Sequence, residues 1–564
     1  MEDAAKAPAN ETTTAFLVVV LVLAYSVSGI ILGVLLVLLA ALLMWFLPVR
    51  WWWVAGVLGL IGVGAFWVWG VAAPSEANLN AVTAVVHWVS RGVAVGYDVV
   101  TRAVLTGIGP ACLLAAAGVT WLGLSRNTHV RAVSKLGHRS GWRPFKRPGV
   151  DAQRLAALAD AAAAVGDGTL LGLDENGAEV VVTDHDTRTP SLFVGTTGSG
   201  KTTALGNFLE SAIVRQLPVY IVDGKGSDGF CDRVRAFCDE YGAPFHLVSM
   251  TGDGEAYDPL ALGGYTSKKD RLIELRDWSE DHYRILAEGY LQTVFWALER
   301  HRIASDLPTV ARYLDIGELY ALARDQDDQV LVDAIERIKP AADQIASLKG
   351  EIQNLVHSEV GHLFDSQGGA ALRIDRAFDE RAVVYFKLQP LMFPSYARTF
   401  GKLITNDIKA LTAMRMSRRD VDYYVLWEEL GAYAGPQIIN VVNQGREAGM
   451  HSLLSIQSLS DLTHAVNDAF TGLVVENCNN YSIMRANAPD NAEALAGIVG
   501  THITPQYTLQ LDKQGATGAA SLKHEREYRV HPDDIKWLEQ GRAILVRKGR
   551  GLVERIHVRH SRIG

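Results

Sequence analysis

The residues with the clearest chemical potential lie at 191–205, SLFVGTTGSGKTTAL. Leu192, Phe193 and Val194 form a short apolar run, as a buried strand does, and the run stops at Gly195. Gly198 and Gly200 keep the following turn narrow, and Lys201, Thr202 and Thr203 open a helix. The spacing G-x-x-x-x-G-K-[ST] in a strand–loop–helix setting makes a phosphate cradle. Backbone N–H groups from Gly195, Thr196, Thr197, Gly198, Ser199 and Gly200 converge on one anion, and the helix N-terminus adds positive potential. Lys201 would reach the β and γ phosphates, Thr202 would ligate Mg²⁺, and Thr203 would continue the cradle. The bland alternative is a glycine-rich turn that binds nothing; the Lys-Thr pair favours ATP with Mg²⁺.

Two later strand ends carry partners for such a cradle. Val425-Leu426-Trp427 runs into the adjacent carboxylates Glu428 and Glu429. In a nucleotide hydrolase the first would hold the Mg²⁺ shell and the second would orient the attacking water. Two solvated glutamates at a helix start are the competing reading. Gln457 ends Leu454-Ser455-Ile456, where a polar amide can read the γ-phosphate. Between them stands Arg446, in Gly445-Arg446-Glu447-Ala448-Gly449, either a surface ion-pair residue or an arginine finger supplied to a neighbouring subunit.

The elements that must position these groups follow from periodicity. Short apolar runs recur at 218–222, 245–248, 382–386, 423–427, 452–456 and 481–484, alternating with helical stretches such as 396–416. That alternation predicts a RecA-like α/β fold with a mainly parallel sheet. A hairpin over 170–172 and 180–182 precedes the cradle, and Asp223 either lines the ligand crevice or caps the next helix. Residues 266–369 read as an all-α insertion, so the ATPase domain spans 166–265 and 370–564. The insertion's charges are largely acidic, including Glu280, Asp281, Asp325, Asp327 and Asp328, which favours protein contacts over duplex binding.

The N-terminal quarter has another character. After a tail at 1–14, the uncharged apolar stretch 15–47 is long enough for one tilted or two short membrane spans. Further spans are expected at 51–72 and 103–124, with an extracytoplasmic amphipathic segment at 73–102 between them. The linker 125–165 opens with Arg126, Arg131, Lys135, Arg139, Arg143, Lys146 and Arg147, which places it in the cytoplasm. The expected location is therefore the inner membrane, multi-pass, with the cradle on the ATP side. The net charge of −8 over 564 residues excludes a protein coated in basic surface but permits a local basic channel. Cys112, Cys231, Cys238 and Cys478 lack metal-site spacing and read as reduced thiols.

Taken in order, GTTGSGKT, Asp223-Gly224-Lys225-Gly226, Tyr257-Asp258-Pro259-Leu260, the helical insertion, Glu428-Glu429-Leu430, Gly445-Arg446-Glu447-Ala448-Gly449, Gln457-Ser458, Glu476-Asn477-Cys478-Asn479 and Val530-His531-Pro532-Asp533-Asp534 resemble the coupling ATPases of type IV secretion and conjugation. These belong to the HerA/FtsK-like group, and the resemblance covers about 165–560. It implies a membrane anchor, a hexameric ring and ATP sites between subunits. It also implies delivery of a relaxase-bound single DNA strand to a type IV secretion channel. The family usually has Asp where this chain has Glu428, and two spans where three or four are expected here. The alternative functions are an FtsK-like double-stranded DNA translocase, a protein-export ATPase, and a slow ATP-gated recruitment platform.

Overall fold

The structure is a computed structural model that describes residues 152–564 apart from 277, 279, 366–369 and 513–514, together with Ala117. The chain divides into two compact units, Met1–Arg143 with Pro505–Glu525, and Pro144–Thr504 with Arg526–Gly564. In the first unit the described elements are strand residues of a two-stranded sheet, β11 (Thr501–Asp512) with β12 (Gly515–Tyr528). Among the described residues no helix is long and apolar enough to cross a membrane. The spans expected at 15–47, 51–72 and 103–124, with 1–14, 73–102 and most of 125–165, lie outside the described residues.

The second unit is built on one large sheet. Its strands are β1 (Ala164–Val165), β2 (Gly168–Asp174), β3 (Glu179–Thr183), β4 (Ser191–Val194), β5 (Val219–Asp223), β6 (Phe245–Ser249), β7 (Val383–Lys387), β8 (Tyr423–Glu428), β9 (Met450–Ile456), β10 (Asn480–Ile483), β13 (Arg542–Arg547) and β14 (Leu552–Val558). Seven are parallel, in the order β10, β4, β9, β8, β5, β7, β6. An antiparallel wing continues beyond β10 through β13, β14 and β2, with β1 and β3 both on β2. The expected α/β fold with a mainly parallel sheet is present.

The parallel strands are apolar throughout because both faces are covered. In β4, Leu192 and Val194 join one buried cluster while Phe193, between them, joins the other. The first face packs on helices Asp281–Arg300, Pro394–Arg415 and Gln437–Gln444, through Leu291, Phe400, Ile404 and Val441. The second packs on Lys201–Val214 and Asp228–Tyr241, through Leu205, Phe208, Val234 and Phe237. Cys231, Cys238 and Cys478 are buried free thiols, and Cys112 lies outside the described residues.

Between β6 and β7 every described element is helical. Tyr257 and Arg271 tie this stretch to helix Pro394–Arg415. The Tyr257 hydroxyl donates to Asp407 Oδ2 at 2.6 Å and the Arg271 guanidinium donates to Oδ1 at 3.1 Å. Asp407 is fully buried, and that burial pushes its carboxyl up to about 7 against the pull of Arg271.

The segment after β14 is stapled to the helix that follows the cradle. Arg559 donates to Glu210 Oε2 and to Asn207 Oδ1, both at 2.7 Å, and Ser561 donates to Glu210 Oε1 at 2.7 Å. The side chains of Arg559 and Glu210 are 3% and 2% exposed. An ion pair so dry is costly to break, because the survivor is a buried charge without a partner. Arg559→Ala is expected to destabilise the folded protein by roughly 3–5 kcal/mol, with the double variant Arg559→Leu, Glu210→Leu recovering most of the loss. Denaturant midpoints of the three proteins check this.

Candidate active site

The cradle leaves β4 at Gly195, and a Cβ there would stand 2.7 Å from both Met484 Cβ and Ser199 Oγ. Only glycine fits so close an approach. Thr196 donates its N–H to the Arg485 carbonyl at 2.9 Å, and Ser199 donates to Thr196 O at 3.1 Å. Gly200, at φ +107°, then turns the chain into helix Lys201–Val214 and caps it with no side chain. The first N–H groups of that helix therefore have no capping side-chain acceptor, the condition an anion satisfies. The Thr196 hydroxyl is buried without a partner, while Thr197 and Gly198 are exposed at the loop tip. Lys201 is buried, its ammonium folded onto the Gly195 carbonyl. Burial lowers its pKa, and Glu429, Glu428 and Asp461 oppose that shift.

The strand order brings the other predicted residues to the same edge. β9 lies between β4 and β8, with Val194 opposite Ile456 and Trp427 opposite Leu454. All three strands run the same way, so the cradle, Gln457 and Glu428-Glu429 share one end of the sheet. The Gln457 amide donates to Glu429 Oε1. Gln457 itself is held by Asp461, which accepts its N–H at 3.1 Å and closes a capping box with Ser458. Glu429 sits in left-handed backbone, φ +50°, which a non-glycine residue adopts at a cost. Burial raises its pKa, and Lys201 and the Gln457 amide pull it down. A carboxylate held by Gln457 beside Lys201 is suited to orient a water and accept its proton.

Glu428 is 4% exposed, and its Oε2 is buried with no hydrogen-bond partner. An orphaned carboxylate oxygen whose charge reaches Lys201 is what a divalent cation needs, and Thr202 follows Lys201 at the start of the helix, so Glu428 and Thr202 fit Mg²⁺. The cradle with these side chains fits ATP and Mg²⁺.

Asp223 does not line the crevice as a free carboxylate. It accepts from Lys225 N and Ser227 N, each at 2.9 Å, and from the Tyr385 hydroxyl at 2.6 Å, which holds the turn after β5. Gly224 in that turn donates to Glu428 O at 2.9 Å, and a Cβ on it would meet Glu429 O at 2.7 Å. The turn thus supports the carboxylate pair from behind.

Arg446 stands elsewhere. It is exposed in the 3-10 turn Gly445–Ala448, just before β9 begins, whereas Gln457 follows the end of β9. The seven residues of β9 put it roughly 20 Å from the cradle of its own chain. Two residues near the cradle escaped sequence reasoning. Asp461 was legible as the S-x-x-D signature Ser458 to Asp461, but Arg485 acquires meaning only from the pairing of β10 with β4.

Burial pushes the Glu428 carboxyl up to about 7, with Ser455 and Lys201 opposing and Asp223 adding. The folded protein holds this proton more tightly than the unfolded chain, so stability falls as pH rises from about 4.5 to about 7. In nucleotide-free, chelator-treated protein, Glu428→Gln should remove a fall worth up to about 3 kcal/mol, read as a flatter pH profile of the unfolding midpoint. Equal slopes for both proteins would show that Glu428 stays ionised when buried.

Residues 422–540 match the family described as the TraM recognition site of TraD and TraG. The type 4 coupling protein DotL of Legionella pneumophila is 22% identical over 364 residues, which cover 52% of this chain and 46% of DotL. The chain thus spans about half the length of this curated relative. Among solved structures, the unbound monoclinic form of the bacterial conjugative coupling protein TrwBΔN70 superimposes with a TM-score of 0.53 at 14% identity. That match covers 72% of this chain and 91% of TrwBΔN70, and the likeness is one of fold. In sequence motifs and in fold, this chain carries a phosphate-binding loop and is similar to the type IV coupling proteins.

Proposed function

We propose that the chain is the ATP-driven coupling component of a type IV secretion apparatus, a membrane-anchored hexamer that passes a relaxase-bound single DNA strand to the secretion channel. The observation that carries this reading is the meeting of Lys201, Glu428, Glu429 and Gln457 at one sheet edge, with Arg446 exposed at the other. A site that is complete except for a cation from outside suits a ring in which each subunit lends Arg446 to its neighbour. The apolar stretches at 15–47, 51–72 and 103–124 and the basic linker support an inner-membrane anchor with the ATPase in the cytoplasm. The match over 422–540 to a family named for TraM recognition supports contact with the relaxosome. The helical insertion 266–369, with its acidic faces, suits contacts with protein partners.

In this mechanism the N–H groups of 195–200 and Lys201 hold the phosphates, with Thr203 continuing the cradle. Glu429 orients water and accepts its proton at a carboxylate oxygen, and Gln457 reports the terminal phosphate through its bond to Glu429. When held by Thr202 and Glu428, Mg²⁺ would offset phosphate charge. The Gly224 turn links this edge to β5, a path by which hydrolysis can shift loops that grip the DNA backbone. That grip should be phosphate-directed and weaken with salt.

Purified protein should show ATP turnover stimulated by single-stranded DNA and abolished by Lys201→Ala, and the same variant should block transfer between cells. ATP binding without turnover under every DNA condition would overturn the motor. Arg446→Ala should retain ATP binding but lose turnover by about 10³-fold or more. Mixed with Lys201→Ala subunits it should regain part of the activity; absence of rescue would place Arg446 outside the neighbour's site.

A further inference from the structure

One large apolar side chain four residues from a contact with the cradle is not explained by packing. Trp537 is 77% exposed, although its neighbour Leu538 is buried and anchors the turn. It follows the short helix Pro532–Lys536, whose Asp534 accepts from Arg555 of β14 at 2.6 Å. Four residues on, Gly541 donates its N–H to the Ser199 carbonyl at 3.0 Å, and a Cβ on Gly200 would stand 3.2 Å from Gly541 N. At no more than roughly 3.6 Å per residue, the Trp537 backbone lies within about 14 Å of that contact. The indole is carried on a turn fastened at both ends, one of them to the cradle itself.

Its side of the cradle is set by the sheet. Glu428 and Glu429 at the end of β8 and Gln457 after β9 lie on one flank of β4, where on the ATP-site reading a terminal phosphate would lie. β10 and β13 occupy the other flank, paired with Ile483 opposite Ile544, so Arg485 and the turn before Arg542 share one strand end. A nucleotide with its terminal phosphate at the carboxylates would extend its nucleoside across the cradle toward this second flank.

We infer that the Trp537 indole is the platform on which the base of the bound nucleotide stacks. The inference rests on the ATP-site reading above and extends it to the base. An exposed indole offers a broad π face, so it recognises a base by ring area and favours purines over pyrimidines.

The test uses the full chain in detergent and compares calorimetric binding of ATP with that of inorganic tripolyphosphate, which has no base. Trp537→Ala should weaken ATP about tenfold, within the range of one base–aromatic stack, and leave tripolyphosphate unchanged. Trp537→Phe should recover most of the loss. Unchanged ATP affinity overturns the inference, and so does an equal loss for both ligands, which would mark a structural role. A Trp537→Ala protein that binds ATP normally but fails to assemble makes Trp537 a subunit contact instead. Trp537-dependent ATP binding with no turnover in the unsubstituted protein would sustain the stack and overturn the motor, so the two readings fail separately.

Discussion

Every group at the candidate site depends on the parallel register of β4, β9 and β8. With Val194 opposite Ile456 and Trp427 opposite Leu454, the three strands end almost together, and their next residues are a phosphate loop, an amide and a carboxylate pair. A slip of one residue in β9 would turn its side chains to the opposite face and carry Gln457 away from Glu429. The register is protected because these strands are buried on both faces, with alternate side chains committed to separate cores.

Within that frame the site is an electrostatic compromise. Lys201, Glu428 and Glu429 are all pushed by burial toward their neutral forms; Lys201 opposes the shift of both carboxyls, and Glu429 and then Glu428 oppose that of Lys201. Removing them from water strengthens the pull of Lys201 on both carboxylates and their repulsion of each other, and leaves Glu428 with an unsatisfied oxygen. Glu429 adds backbone strain at φ +50°, held by the Gln457 bond on one side and the close-packed Gly224 turn on the other. Strain of this kind persists where surrounding contacts over-determine the position.

The antiparallel wing gives the cradle its second support. Gly541, at the start of β13, binds Ser199, and Arg559, after β14, locks onto Glu210 in the helix that follows the cradle. The phosphate loop is therefore clamped by chain segments far beyond it in sequence, while its own tip stays open to solvent. Arg446 belongs to neither support, since it lies at the opposite ends of the strands.

Local sequence determined the cradle, the strand–helix alternation and the two polar strand ends, because each is written in contiguous residues through spacing and apolar period. It also determined the helical character between β6 and β7. It left Asp223 open between crevice and cap, and the Tyr385 hydroxyl and two turn amides decided it. Tertiary structure alone decided that β9 separates β4 from β8, that Arg485 and Gly541 flank the loop, and that Arg446 stands apart from its own site. The physical reason is separation along the chain. The Arg559–Glu210 pair joins residues 349 positions apart, and no local period records which distant segment will supply a buried charge with its partner.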